Sequence, residues 1–410
     1  LVFLGPARRN NPKKEKNIMK KVRFSYVVFA VLLAASMLLS ACATATTPAP
    51  TEAPVVQPTT PPEPANTTAP EPTATTPPEP TATTPPQPTN TTAPTAAPTV
   101  PAPVCAPIAN PPTAKAGELG SPDKPITIVF VPSGDSGKIA KASTAIADCL
   151  NKVTGLSFKI ETGTSYAAAI EAMGAEKAQV GFLNTFAILG AQAKYGIIPA
   201  LINLRKYSTN DLDPDKALKD QLEPFYKGQF IANNASGIKT LADLKGKTFC
   251  FVDPLSTSGY VVPRIILLAN GIDPDKDFKA TQNAGSHNNV AIAVYKGDCD
   301  AGVTFIDVLT DKAANLAATY PDITDKVSVF AVTDRIPNDG VQYIKSLDPT
   351  LQAAITDALL AMSTDPGGKA VLAGLYTINA FQKIDSTFTS YADFAAVLKK
   401  AGVDPASLIK

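Results

Sequence analysis

A two-lobed α/β fold is what this chain predicts, and three observations predict it. Short β-rich runs alternate with helical stretches from Pro125 onward, a second series of the same kind begins near Phe230, and the last quarter is helical. Strand alternating with helix argues for parallel sheet with helices on both faces. A helical tail after two such series implies that the chain returns to pack on the first lobe. Two lobes joined by two crossing segments leave a cleft between them, the ordinary place for a small ligand.

In the first series, ITIVFV (Ile126 to Val131) reads as a strand and the Ala- and Lys-rich stretch from Ile139 to Val153 as a helix. SFKIET is a second strand, SYAAAIEAM a helix, QVGFL a third strand and FAILGAQAKY the next helix. In the second series, KTFCFVD is a strand and TSGYVVPRIILLANG a helix stopped by Gly271. NNVAIAVYKG follows as a helix, AGVTFI as a strand, VLTDKAANLAATY as a helix ending at Tyr320, and KVSVFAV as a strand leading out. The tail carries DPTLQAAITDALLAMS, GGKAVLAGLY and YADFAAVLKKAG as helices. Residues 116–227 and 335–410 are thus expected to form one lobe and 228–334 the other.

The chain starts differently. Residues 1–42 read as an export signal: basic residues from Lys20, a short apolar run, then Leu39-Ser40-Ala41-Cys42. That ending resembles a bacterial lipobox, which makes Cys42 the lipidated first residue of the mature protein, and Met19 is the expected start. The rival reading of the apolar run is a retained transmembrane anchor. Residues 43–115 are rich in Thr and Pro, with EPTATTPP at Glu71 to Pro78 repeated at Glu79 to Pro86. Such a stretch has too little apolar surface to offset the entropy of ordering and reads as a tether, extending at about 3.1 Å per residue.

The bulk of the 410 residues can bury a core, with 45% hydrophobic residues, and a formal charge of +1 argues against a nucleic-acid partner. Five cysteines are present. With Cys42 lipidated, Cys105, Cys149, Cys250 and Cys299 remain, an even number in an oxidising compartment. The favoured pairing is Cys105 with Cys149 and Cys250 with Cys299, the latter two lying on or beside strands of one small lobe. Metal ligation is the rival, without a C-x-x-C spacing to support it. No metal site, no cofactor and no P-loop is expected.

In open α/β sheets, ligands meet the C-terminal ends of strands, where the following helices begin. KTFCFVD points its end at Ser256-Thr257-Ser258-Gly259-Tyr260, SFKIET at Gly163-Thr164-Ser165-Tyr166, and QVGFL at Asn184-Thr185-Phe186. A helix start has unpaired N–H groups and partial positive charge, so it holds anions. Ser256 alone would serve as an N-cap, but three hydroxyls beside a glycine exceed what a cap requires. Pro263 removes one helical hydrogen bond, to Gly259, and predicts a bent or loosened first turn. His287, the only histidine, stands just before a helix. Its unperturbed pKa near 6.5 leads to the expectation that a charged His287 tightens anion binding at mildly acidic pH.

DLKGKTFCFVDPLSTSGYVVPR, then GSHNNVAIAVYKGDCDAGVTF, then IPNDG resemble the phosphate/phosphite/phosphonate-binding proteins of bacterial ABC importers. The likeness runs in order from about Pro125 to Tyr391. It implies a type II periplasmic-binding-protein fold that closes on a small phosphorus oxyanion. By position it implies that Ser256, Thr257 and Ser258 donate to the anion, that His287 adds a ring donor, and that Tyr166 closes from the first lobe. Asp307 corresponds to an acidic position that meets an amine or a ligand proton; its rival reading is an ordinary acid in the first turn of a helix. Where the family often has Gly-Pro after the third strand, this chain has Asn184-Thr185. The resemblance further implies a non-enzymatic monomer that passes its ligand to an ABC permease, held outside the cytoplasm by a lipid anchor. Two rivals remain: a receptor of the same fold for a thiamine precursor or a sulfonate, and a secreted hydrolase using Ser256 or Ser258 with His287 as base and Asp253 or Asp307 as orienting acid. The absence of tryptophan disfavours the first, and the absence of a G-x-S-x-G elbow the second.

Overall fold

A computed structural model describes residues 104–409; the signal-like run ending at Cys42 and the Thr/Pro-rich stretch up to residue 103 lie outside the described residues. The longer strands, in chain order, are β1 (Ile126–Phe130), β2 (Phe158–Thr162), β3 (Val180–Leu183), β4 (Ile198–Lys206), β5 (Gly228–Asn233), β6 (Thr248–Phe251), β7 (Ala280–Asn283), β8 (Ala301–Phe305), β9 (Val327–Val332), β10 (Gly340–Tyr343) and β11 (Ala380–Lys383). The longer helices are α1 (Ser136–Thr154), α2 (Tyr166–Gly174), α3 (Thr185–Tyr195), α4 (Val262–Ala269), α5 (His287–Lys296), α6 (Pro349–Thr364), α7 (Pro366–Tyr376) and α8 (Ser390–Lys400).

These strands build two sheets. The first has the order β11-β4-β10-β3-β1-β2, with Leu222–Glu223 paired to β4; the second has the order β9-β5-β8-β6-β7. Between them run the two crossings, Phe225–Tyr226 and Ile336–Pro337, which pair with each other antiparallel. One crossing leads from the first sheet into β5, and the other leads from β9 back to β10. The fold is therefore α/β in two lobes joined by a double crossing, with the cleft at the crossing.

Parallel pairing holds only toward one edge of each sheet, β1 with β2 and β3, and β6 with β7 and β8. β10 runs antiparallel to β3 and β4, β11 antiparallel to β4, and β5 antiparallel to β8 and β9. The expectation of parallel sheets is corrected accordingly. A chain that leaves a lobe and returns to it enters from the opposite end, so β10 and β5 must run against their neighbours.

Local chemistry fixes the helix ends. Asp135, Ser165 and Ser286 cap α1, α2 and α5 by accepting N–H bonds from Lys138, Ala168 and Asn289, while Gly155 and Gly297 close α1 and α5 in left-handed conformation. One expected helix is absent: VLTDKAANLAATY forms turns with a single short 3-10 segment, Leu316–Ala318. Asp311 takes the Ala314 N–H on its carboxylate, and Asn315 adopts φ +49°, so the chain turns instead of winding on. Disulfides join Cys105 to Cys149 and Cys250 to Cys299, the expected pairing. The first pins the segment that follows the Pro-rich stretch onto α1.

Candidate functional site

The site grows from the turn after β6. Asp253 takes the Leu255 N–H on its carboxylate at 2.8 Å, and Ser256 N–H bonds the Asp253 carbonyl at 2.8 Å, which swings the chain into a helical segment. That segment does not begin as a regular α-helix. Thr257–Val261 is a π-turn, with Val261 N–H reaching back five residues to the Ser256 carbonyl at 3.0 Å. Pro263 has no N–H to give Gly259, and the Gly259 carbonyl instead accepts from Val252 N–H at 3.0 Å. A wide first turn is thereby stitched to the end of its own strand. Gly259 is required for that closeness, since a Cβ there would collide with the Val252 side chain.

The hydroxyls of this turn point into the gap between the lobes. Thr257 Oγ1 accepts from Asn184 Nδ2 at 2.8 Å and from Phe186 N–H at 2.9 Å, both on the first lobe. With both lone pairs engaged, its proton is left free to donate. Ser258 Oγ accepts from the Tyr226 hydroxyl at 3.2 Å, and Ser256 Oγ accepts from Gly259 N–H at 3.2 Å. Across the gap the Tyr166 hydroxyl is buried without a partner. Its pKa is raised well above the tyrosine range by burial and then by the Asp253 charge, so it stays a donor. By position in the first turn, the Thr257 and Ser258 N–H groups have no helical carbonyl behind them.

His287 contributes one nitrogen. Its Nδ1 accepts from Phe305 N–H at 3.1 Å, which leaves Nε2 to carry the proton and face Ser256 Oγ at 3.5 Å. Burial, followed by the Arg205 charge, lowers its pKa to about 3. The ring is neutral near pH 7 and acts as a single N–H donor. That corrects the expectation of a charged His287: a backbone N–H already occupies the nitrogen that a second proton would need.

Further bonds tie the lobes together around this gap. Asn184 Nδ2 also donates to the Leu255 carbonyl at 2.8 Å, His287 N–H to Ser133 carbonyl at 3.1 Å, and Lys138 Nζ to the Ala313 carbonyl at 2.7 Å. The cavity between the lobes has a volume of ≈ 60 Å³. At about 10–15 Å³ per water on this measure, it holds a compact solute of a few heavy atoms.

A model of the family described as "ABC transporter, phosphonate, periplasmic substrate-binding protein" matches residues 128–388. The chain belongs to this family. A phosphate-import protein of Mycolicibacterium smegmatis is 27% identical over 239 residues, covering 54% of this chain and 70% of that protein. The phosphonates-binding periplasmic protein of Escherichia coli is 33% identical over 156 residues, covering 36% of this chain and 44% of its own. Among solved structures, the binding component of an ABC phosphonate transporter from Pseudomonas aeruginosa has TM-score 0.57 at 23% identity, covering 68% of this chain and 86% of the other. A Prochlorococcus marinus protein solved in complex with methylphosphonate has TM-score 0.55 at 19% identity, covering 68% and 98%. These likenesses fix the fold as that of periplasmic binding proteins. Such components of ABC importers work outside the cytoplasm, and the family is one of transport components, not of enzymes.

Of the residues expected at this family's site, Ser256, Thr257, Ser258, His287, Tyr166 and Asn184 line the cleft. Four do not. Gly259 shapes the turn from behind. Tyr260 packs on Phe251, ring centres 5.0 Å apart, and under the Arg264 guanidinium. Thr185 is buried and donates its hydroxyl to the Pro337 carbonyl at the second crossing. Asp307, expected to read a ligand proton or amine, stands outside the main cleft and accepts the Ser208 hydroxyl. Nor does it lie in the first turn of a helix, because the helix expected after it is absent.

The cleft holds other acids in its place. Asp339 has an Oδ1 that is buried without a partner, and burial raises its pKa to about 6 against the opposing pull of Arg205. Asp311 is raised by burial and then by the Asp307 charge. Arg205, Asn288, Ser133 and Tyr376 also line the cleft. Asp339 was within reach of the sequence, because it is the acid of IPNDG. Arg205 carried no such signal: it sits near the end of β4, a strand whose place beside the cleft depends on the returning β10.

Proposed function

We propose that this chain captures a small phosphorus oxyanion in the cleft, closes on it, and passes it to a membrane permease while a lipid on Cys42 holds it at the membrane. The observation that carries the reading is the convergence of donors. The Ser256, Thr257 and Ser258 hydroxyls, the first-turn N–H groups, the Tyr166 hydroxyl and His287 Nε2–H converge on one cavity from both lobes. Neutral donors aimed inward at a cleft partly shielded from solvent suit a compact anion, because charge-assisted bonds strengthen where the local dielectric falls. Methylphosphonate in the Prochlorococcus neighbour is consistent with that chemistry.

The hydrolase reading finds little support. A serine–histidine pair needs an acid on the far ring nitrogen, and here a backbone N–H occupies His287 Nδ1. Calorimetry of the folded part, from about residue 104, against phosphate, phosphite, methylphosphonate and sulfate tests the proposal. Binding of at least one phosphorus oxyanion, weakened about 10- to 100-fold by Ser258→Ala, is expected. A response to sulfate alone, or to none of the four, would remove the assignment. For the anchor, a Cys42→Ala chain expressed in a bacterial host should leave the membrane fraction; retention there would count against lipidation.

A further inference from the structure

Arg205 is the residue of the cleft that oxyanion capture leaves unexplained. It reaches the cavity from near the end of β4, and its guanidinium carbon lies 5.8 Å from the Tyr226 ring centre and 5.7 Å from that of Phe305. One of its nitrogens donates to Thr377 Oγ1. Among the described residues it forms no ion pair within 4.0 Å, although every other strongly placed arginine does: Arg264 pairs with Asp275 and Arg335 with Asp215. A guanidinium carries five N–H donors in a planar fork. Most of this fork has no protein acceptor, and the side chain is half-buried, so an anionic group set against it gains more than it would in open water.

The acids in the same cleft, Asp339 and Asp311, form no ion pair with it within 4.0 Å among the described residues; burial shifts both toward the protonated form, although the Arg205 charge pulls both back. The two functional ends are linked through one aromatic ring. Tyr226 gives its hydroxyl to Ser258, in the hydroxyl turn, and presents its ring to Arg205. A ligand seated on the turn therefore has a fixed cation within a short arm's reach.

Building on the proposed oxyanion function, we propose that Arg205 determines the ligand class, receiving the carboxylate of a short phosphonocarboxylate whose phosphoryl end rests on the Ser256 to Ser258 turn. A carboxylate matches the planar fork bidentately. The cavity of ≈ 60 Å³ favours that compact second group over a second phosphoryl.

Calorimetry with phosphonoacetate, methylphosphonate and aminoethylphosphonate tests this on the native chain and on Arg205→Gln and Arg205→Lys, each checked for an unchanged melting temperature. The native chain is expected to bind phosphonoacetate about tenfold or more tighter than methylphosphonate. Arg205→Gln should erase that preference while leaving methylphosphonate within about threefold, and Arg205→Lys should retain part of it. Equal affinity for the two ligands in the native chain overturns the assignment, as does a lead for aminoethylphosphonate. So does an equal loss for both ligands in Arg205→Gln, which would place the guanidinium on the phosphoryl group. In all three cases methylphosphonate still binds the native chain, so the oxyanion reading survives. Silence from every phosphonate overturns this inference, and it sinks the oxyanion reading as well only if phosphate and phosphite also fail to bind the native chain.

Discussion

At the scale of single residues, His287 shows how one backbone contact decides a chemical role. With Nδ1 taken by Phe305 N–H, the ring offers one donor and no switchable charge. His287 should therefore add nothing to the pH dependence of affinity for an anion of constant charge between about pH 5.5 and 8. Any rise toward acid there in calorimetry follows the cleft acids Asp339 and Asp311 and should persist in His287→Gln, whereas a rise lost in that variant would contradict the neutral tautomer. Stability carries a sign of its own. The pKa falls from 6.5 unfolded to about 3 folded, so between those values the unfolded chain binds the extra proton. The stability contribution is complete above pH 6.5 and is lost as the pH falls toward 3. His287→Gln should melt with a weaker acid dependence over that window. Asp339, raised to about 6, has the opposite sign and is common to both chains, so it cancels in the comparison. Thr257 gives a second residue-scale prediction. Because its oxygen accepts two first-lobe donors, Thr257→Val should weaken ligand binding about tenfold or more and Thr257→Ser much less, measured by calorimetry.

At the scale of elements, the π-turn Thr257–Val261 explains why the hydroxyls sit where they do. Two sequence features make it: Pro263, which frees the Gly259 carbonyl, and Gly259, which lets the turn lie against Val252. Gly259→Ala should cost about 1–3 kcal/mol in denaturant unfolding and weaken binding as well, because relieving the clash moves the three hydroxyls. An unchanged affinity in a destabilised variant would mean that the turn shifts as a rigid unit. This element was legible beforehand, since proline and glycine act through local rules that need no knowledge of the fold. The stretch Val308 to Tyr320 was not legible. Its spacing is helical, but Asp311 spends its carboxylate on the Ala314 N–H and Asn315 turns left-handed, choices favoured by the neighbouring lobe through the Lys138 bond to Ala313. Arg205 stayed hidden for a related reason. A cation near the end of β4 becomes a cleft residue only when the chain has crossed twice and laid β10 beside β4.

At the scale of the whole molecule, opening and closing must pass through the paired crossings, and an ion cluster stands beside them. Lys227 follows the first crossing directly, and Arg335 precedes the second. Lys227 Nζ bonds Asp213 at 2.7 Å and Asp215 at 2.8 Å, and Arg335 bonds the same Asp215 at 2.7 Å, so one carboxylate joins both crossings. Asp215 is held far below the usual carboxylate range by Arg335 first and then Lys227. The two cations differ in setting. The Lys227 and Asp213 side chains are 3% and 0% exposed, whereas that of Arg335 is 52% exposed. Removing Lys227 strands a buried carboxylate and should cost about 3–5 kcal/mol. Removing Arg335 breaks a largely solvated pair and should cost about 1 kcal/mol or less, plus the packing of its guanidinium on Phe225. Arg335→Ala is then the variant that reports on motion without unfolding the protein. With Asp215 no longer shared, the crossings are freer to rotate and the unliganded lobes should open further. Small-angle scattering should record a larger radius of gyration without ligand and the same radius as the native chain with it, together with an affinity weakened a few-fold, since binding must now also draw the lobes together. If scattering is unchanged in the ligand-free state, the cluster holds the crossings in place only through Lys227, and the shared carboxylate has no part in setting how readily the cleft closes.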